Sequence, residues 1–184
     1  MTMKKLTHSE ILNERLRPED AHNVERHPVS LMLDNVRSLY NVGSIFRTCD
    51  SALASELILC GFTPHPPRKE IEKTALGAVE TVPWTYKRSS HEAVNELKSR
   101  NIKVIAVEIT GKKRPYDTFS ADEYPMCLVL GNELTGLDNS LLNLCDDAVE
   151  IPMFGAKHSL NVSVAAGIVL FEAVRKFRLY QNNT

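Results

Sequence analysis

The sequence predicts an α/β domain, a mostly parallel sheet flanked by helices. Apolar runs of strand length alternate with segments of helical periodicity. Several of these runs are continuously apolar, as in strands buried on both faces of a parallel sheet. A chain of 184 residues, 43% hydrophobic and 24% charged, suits one domain with a sizeable core plus a short extension.

Residues 8–16, HSEILNERL, read as a short helix capped by Ser9, with Ile11, Leu12 and Leu16 as an apolar stripe. The polar residues 17–28 link this extension, residues 1–28, to the main domain, residues 29–184. VSLMLDNV (29–36) is a strand ending in the turn residues Asp34 and Asn35, and 40–54 is a helix with Asn41 at its N-cap. ELILCG (56–61) is a second strand. Residues 62–82, rich in proline, read as a long loop, and loops of that length are usually functional or mobile. PWTYKR (83–88) is a strand weakened by its first proline. Residues 90–101 form an amphipathic helix capped by Ser90, with Ala93, Val94 and Leu97 inward. Strands over 103–110, 125–133 and 148–153 and helices over 140–147 and 162–180 complete the pattern.

Composition narrows the function classes. A net charge of −1 gives no global basic field, so nucleic acid must be held by local patches. No apolar run approaches the ~20 residues that span a membrane, and the first residues lack an apolar signal core. Cys49, Cys60, Cys127 and Cys145 are scattered without CxxC pairing, which argues against a zinc site or disulfide frame and fits a reducing cytosol.

Three stretches carry candidate chemistry. In NVRSLYNVGSIFRTCDSA (35–52), Asn41 opens a helix, Gly43 and Ser44 allow close approach to its first turn, and Arg47 follows. A helix N-terminus with a guanidinium suits a phosphate; the bland reading is a cap and a surface ion pair. In LVLGNELTGL (128–137), a strand ends at Gly131 and Glu133 projects as a base, an orienting acceptor or a cap. In IPMFGAKHSLNVSV (151–164), Ile151, Met153 and Leu160 can form an apolar slot, with Ser159 and Asn161 at the mouth of the last helix. Those two residues serve a ligand or simply cap that helix. The spacing matches neither the dinucleotide glycine fingerprint nor a phosphate-binding loop with its lysine.

Taken in order, these stretches resemble the three motifs of the SpoU (TrmH-type) family, RNA 2′-O-ribose methyltransferases of the SPOUT class, over roughly residues 29–180. The resemblance implies a C-terminal trefoil knot and S-adenosylmethionine as methyl donor, without a metal. It implies cofactor contacts near Val107, Glu108, Gly131, Ile151, Met153 and Leu160, and a homodimer whose apolar last helix lies near the site. The catalytic set becomes Arg47, Asn41, Glu133, Ser159 and Asn161. Arginine is a poor base, so Arg47 is expected to clamp a phosphate and stabilise the forming alkoxide. Glu133 and Asn41 would orient Arg47, and Ser159 and Asn161 would hold the substrate loop. Arg37, Arg68, Lys69, Lys73, Lys112, Lys113, Arg114 and Lys157 are candidate RNA contacts, the basic loop 62–73 foremost. Residues 1–28 are too short for a separate RNA-binding domain, which favours tRNA slightly over rRNA on size. An RNA-binding protein of this fold without catalysis, or a nucleotide-binding redox protein, are the rivals; the intact motif set opposes the first and the missing glycine fingerprint the second.

Overall fold

In a computed structural model, which describes residues 3–182, the apolar runs become parallel strands. In chain order the elements are α1 (His8–Asn13), β1 (Val29–Asp34), α2 (Leu39–Ser51), β2 (Leu57–Cys60), α3 (Lys69–Ala75), α4 (Ala78–Thr81), β3 (Trp84–Lys87), α5 (Ser90–Ser99), β4 (Lys103–Val107), β5 (Met126–Leu130), α6 (Asn139–Leu142), β6 (Asp147–Val149) and α7 (Val162–Gln181). Among the described residues the strands form one sheet in the order β3-β2-β1-β5-β4-β6, each neighbouring pair parallel.

Alternation along each strand explains why the runs are apolar throughout. Leu31 and Leu33 of β1, Leu57 and Leu59 of β2, and Leu128 and Leu130 of β5 face a core shared with α2, α3, α4 and α7. Their neighbours Met32, Ile58, Cys127 and Val129 face a second core under α5 and α6. Both faces are covered, so the central strands are apolar at most positions; the buried exceptions are Ser30 and Asp34 of β1, the first donating to the Met126 carbonyl at 3.3 Å and the second accepting from Ser90. Cys49, Cys60 and Cys127 are buried packing residues, and Cys145 is half-buried.

The departures from the sequence reading have local causes. Thr7, not Ser9, caps α1 in a box with Glu10, and no residue of α1 is fully buried: Ile11 is half-buried, while Leu12 and Leu16 stay exposed. Residues 21–28 are pinned rather than a free linker. Ala21 is buried, and Arg26 donates to the carbonyls of Ala21, Ala54 and Thr81 at 2.9, 3.1 and 2.5 Å. Ser89 caps α5, while Ser90 turns inward and donates to Asp34. The expected long loop is mostly helix: after Pro64, Pro66 and Pro67 the chain forms α3 and α4, burying Ile71, Ala75 and Ala78 at helical spacing. The last three predicted strands and the helix over 140–147 are shorter than expected. The final helix runs as expected, one residue longer.

Gly43 has a different task from the one its sequence context suggested. It is buried in α2, and a Cβ there would collide with Thr74 Oγ1 and the Ile71 carbonyl of α3. It lets two helices touch rather than a ligand approach.

Candidate functional site

The carboxyl ends of β1, β4, β5 and β6 meet at one edge of the sheet, where ligands of open parallel sheets bind. A cavity of about 490 Å³ opens there. Val107 and Glu108 leave β4, Gly131 to Gly136 leave β5, and Glu150, Ile151 and Met153 leave β6; all line it, closed by His158, Ser159, Leu160, Val162 and Ala165. The structure thus gathers into one wall all six residues expected around a cofactor, with Glu133 and Ser159 of the expected catalytic set.

The loop after β5 is built to hold this shape. Asn132 Oδ1 accepts from the N–H groups of Leu134 and Thr135 at 2.9 and 3.2 Å, and Asn132 and Gly136 exchange backbone bonds. The loop folds back so closely that a Cβ on Gly131 would strike Gly136 and Leu137. Gly131 therefore serves loop closure as well as the cavity wall. Glu108 reaches over from β4: Oε2 accepts from Leu137 N at 3.0 Å and Oε1 from Ile109 N at 2.9 Å.

The other expected catalytic residues form a chain of hydrogen bonds. Glu133 accepts from the backbone N–H of Arg37 (2.9 Å) and Ser38 (3.2 Å) and from Asn41 Nδ2 (3.0 Å). Asn41 Oδ1 accepts from Asn161 Nδ2 at 3.1 Å, and Asn161 Oδ1 accepts from Ser163 N and Oγ at 2.8 and 2.6 Å. The direction is self-consistent, because a flipped Asn41 would set its oxygen against a carboxylate. Three segments far apart in sequence are thereby joined. Ser38, not Asn41, caps α2; Asn41 sits inside the first turn with its amide free for this network. Asn161 does cap α7 and is bonded to Asn41 as well, so the capping and site roles coexist.

Burial pushes the Glu133 carboxyl up. The N–H groups of Arg37 and Glu133, the Asn41 amide and the Ser38 N–H outweigh it and hold the group below its ordinary value. An ionised carboxylate with both oxygens occupied is a positioning group and a poor base. It does not orient Arg47, as expected from the sequence: none of its contacts is to Arg47. Arg47 is exposed on α2, outside the cavity wall, and its guanidinium makes no hydrogen bond or ion pair with a described residue. The surface ion pair of the bland reading is absent as well.

Glu150 is the residue the sequence reading passed over. Its Oε2 is buried and has no hydrogen-bond partner among the described residues, and Glu150 lines the cavity. An acid ending an apolar strand just before Ile151 was the available signal. Asn35 was also missed. Its carbonyl takes Asn132 Nδ2 at 2.8 Å and its Oδ1 takes the Phe62 N–H at 2.9 Å.

The basic candidates divide. Arg37, Arg68, Lys69, Lys73, Lys113 and Lys157 are exposed. Lys69 and Lys73 lie one turn apart on α3. Arg114 is committed elsewhere: it grips Glu123 with two bonds of 2.8 Å and Asp147 with one of 3.0 Å. Lys112 also pairs with Asp147, at 3.0 Å. These two were candidates because the run is basic; folding brings acids to them. Among the described residues no cluster of side chains could hold a metal ion, and no helix is long and apolar enough to cross a membrane.

Comparison with known proteins adds to this geometry. Residues 28–171 match the model of the SpoU rRNA Methylase family. The chain is 37% identical over 154 residues to the 23S rRNA (guanosine-2′-O-)-methyltransferase RlmB of Ralstonia nicotianae, covering 83% of this chain and 61% of the relative. It is 35% identical to the protein of that name from Vibrio vulnificus, with 60% of the relative covered, so it spans about three fifths of these relatives. Among solved structures it resembles the SpoU methyltransferase AviRb of Streptomyces viridochromogenes in complex with AdoMet. The TM-score is 0.76 at 30% identity, covering 85% of this chain and 63% of that one. It also resembles the TrmH/SpoU tRNA modifying enzyme of A. aeolicus. Here the TM-score is 0.77 at 28% identity, covering 93% of this chain and 86% of that one.

Proposed function

Because the chain belongs to the SpoU rRNA methylase family, we propose that it transfers a methyl group from S-adenosylmethionine to a ribose 2′-hydroxyl of structured RNA. The observation that carries this reading is the convergence of the second and third motifs on one cavity, with the first tied to both through Asn41, which bonds Glu133 and Asn161. The domain that does this is residues 29–184, with residues 1–28 as an accessory extension, and the C-terminal chain threads the trefoil knot of its family.

The cavity suits the cofactor. Its volume of about 490 Å³ lies in the range of small-molecule sites. Its wall carries an orphaned acceptor, Glu150 Oε2, which a donor on the ligand would satisfy. Val107, Glu108, Gly131, Ile151, Met153 and Leu160 would hold it, the apolar side chains against its flat faces. S-adenosylmethionine supplies a sulfonium methyl that is already activated, so the protein's tasks are alignment and charge. Glu133 and Asn41 fix the loop before α2 and the start of α7 relative to each other. Ser159, exposed at the cavity mouth, is set to hold the incoming ribose. Arg47 has a guanidinium to spare; it clamps an RNA phosphate and stabilises the forming alkoxide. Arg37, Arg68, Lys69, Lys73 and Lys157 grip the RNA backbone as local charges.

The working unit is a homodimer. Val164, Ile168, Phe171 and Leu179 fall on one side of α7; Val164, Phe171 and Leu179 are 44–50% exposed, and the stripe begins beside Leu160 of the cavity. An apolar helix face left uncovered suits a second copy related by a twofold axis. Four free thiols, three of them buried, are in keeping with a cytoplasmic enzyme.

The test is transfer of labelled methyl from S-adenosylmethionine to separate unmodified rRNA and tRNA pools. The names of the RlmB relatives favour rRNA, and the likeness to the A. aeolicus tRNA modifying enzyme favours tRNA. Label mapped to a ribose in one pool, and lost with Arg47→Ala, is the expected result. Binding of S-adenosylmethionine with no transfer to either pool would instead support an RNA-binding protein of the same fold.

A further inference from the structure

Phe62 is 89% exposed, two residues past the end of β2. Single exposed apolar residues are ordinary, but this one sits on an unusually tethered backbone. Gly61 donates its N–H to the Lys87 carbonyl at 3.1 Å and accepts from Tyr86 Oη at 2.9 Å. The Phe62 N–H is taken by Asn35 Oδ1 at 2.9 Å. Thr63 is buried: its N–H bonds Cys60 at 3.1 Å, its hydroxyl donates to Leu33 at 3.0 Å and accepts from Val36 N at 3.1 Å. The ring is thus presented to solvent by a segment that cannot fold it away. Phe154, 97% exposed, lacks such fixing: its backbone makes no hydrogen bond with a described residue.

The surroundings say what such a ring is for. Asn35, which holds Phe62, also holds Asn132 of the cavity wall, so one residue separates the ring's backbone from the site. Tyr86, 41% exposed, continues the aromatic surface with its ring centroid 4.6 Å from that of His65. Arg37, two residues beyond Asn35, and Arg88, next to Lys87, are exposed, and their side chains make no ion pair with a described residue. An exposed aromatic ring on a tethered backbone, with uncommitted cations on the adjoining segments, is the chemistry that holds single-stranded nucleic acid, bases stacked and phosphates neutralised.

We propose that Phe62 is a stacking platform for an unpaired nucleobase of the RNA, close to the nucleotide whose ribose enters the cavity. The inference rests on the methyltransferase reading for the identity of the ligand. It adds that the substrate is held in a locally single-stranded state. Phe62 is then a positioning residue outside the transfer chemistry, with specificity for a flat base rather than for a sequence.

The experiment uses the full chain and a short oligoadenylate carrying one 2-aminopurine, followed by anisotropy and by 2-aminopurine quenching. Phe62→Ala and Phe62→Leu should each weaken binding by about 5- to 100-fold and abolish the quench. Phe62→Trp should bind at least as tightly as the parent. The exposed ring carries no packing, so these variants should fold, as S-adenosylmethionine titration by calorimetry would verify. Equal affinity of Phe62→Leu and the parent would overturn the proposal, since an apolar contact would then suffice. So would an absence of quenching in the parent, or a change of oligomeric state in Phe62→Ala, which would assign the ring to another copy. If the parent binds the oligonucleotide but no S-adenosylmethionine, the methyltransferase reading fails and the stacking result stands separately.

Discussion

Arg47 and Arg114 are the same residue type put to opposite uses. Arg114 stands 20% exposed in a cage: Glu123 and Asp147 take its guanidinium, and Thr118 adds bonds through both its hydroxyl and its carbonyl. Arg47 stands on the surface of α2 with no hydrogen-bond or ion-pair partner among the described residues, although the carboxylate Glu133 lies near the start of the same helix. The difference lies in how each acid is satisfied. Burial pushes the Glu123 carboxyl up, and the Arg114 guanidinium, helped by the Ser120 N–H, outweighs it; the bond to Glu123 raises the pKa of Arg114 in return. Around Glu133 neutral N–H groups outweigh burial instead, leaving the nearby arginine uncommitted. A structural ion pair uses up its cation, whereas a site that must receive a phosphate keeps one in reserve.

Arg47→Ala tests the contrast hardest. Methyl transfer should fall about 100-fold or more, as for loss of a donor to developing charge. S-adenosylmethionine affinity and urea midpoint should not move, because nothing in the fold leans on the side chain. Arg47→Lys should recover little, since a lysine cannot reproduce bidentate contact. Arg114→Ala should do the reverse, costing about 2 kcal/mol in urea unfolding by leaving the partly buried Glu123 without a cation and Asp147 with Lys112 alone. Its transfer rate per folded molecule should be intact.

Glu133→Gln probes the neutral donor set through pH. The native carboxyl titrates below its ordinary value. Its contribution is therefore fully present above the unfolded pKa of about 4.3 and is lost as pH falls through the lower native value. The variant should melt below the parent at neutral pH, and the gap should close in acid. A gap that widens in acid would mean that Glu133 is not held as an anion. The smallest effect belongs to Lys112→Ala, whose side chain is 67% exposed beside Asp147. It should cost no more than about 0.5 kcal/mol and vanish in high salt. A larger loss would make Lys112 part of the Arg114 cage rather than an ornament on it.

Much of the architecture was legible because buried parallel strands leave an unmistakable trace. MCLVL of β5 and LILC of β2 are buried at every position, and no turn residue interrupts them. The helices α3 and α4 were hidden by the prolines before them, although Ile71, Ala75 and Ala78 carry helical spacing. Capping was misplaced where two competent residues lie close together: Ser38 before Asn41, Ser89 beside Ser90, Thr7 before Ser9. A cap is chosen by backbone conformation at one residue, which composition does not reveal. The basic run over 112–114 misled because charge along a sequence is silent about the acids that folding brings to it.

By itself the sequence determined the alternation of strand and helix, the parallel sheet, and the residues that could carry chemistry, because each rests on local periodicity or residue type. Only the tertiary structure decided which of them meet. Asn41 finds Glu133 across 92 residues and Asn161 across 120, and the cavity wall is drawn from three strand ends. Such contacts depend on strand order and register, which no window of sequence contains. The same is true of the two arginines. Whether a guanidinium is spent or spare is a property of what the fold brings within 3 Å or so of it.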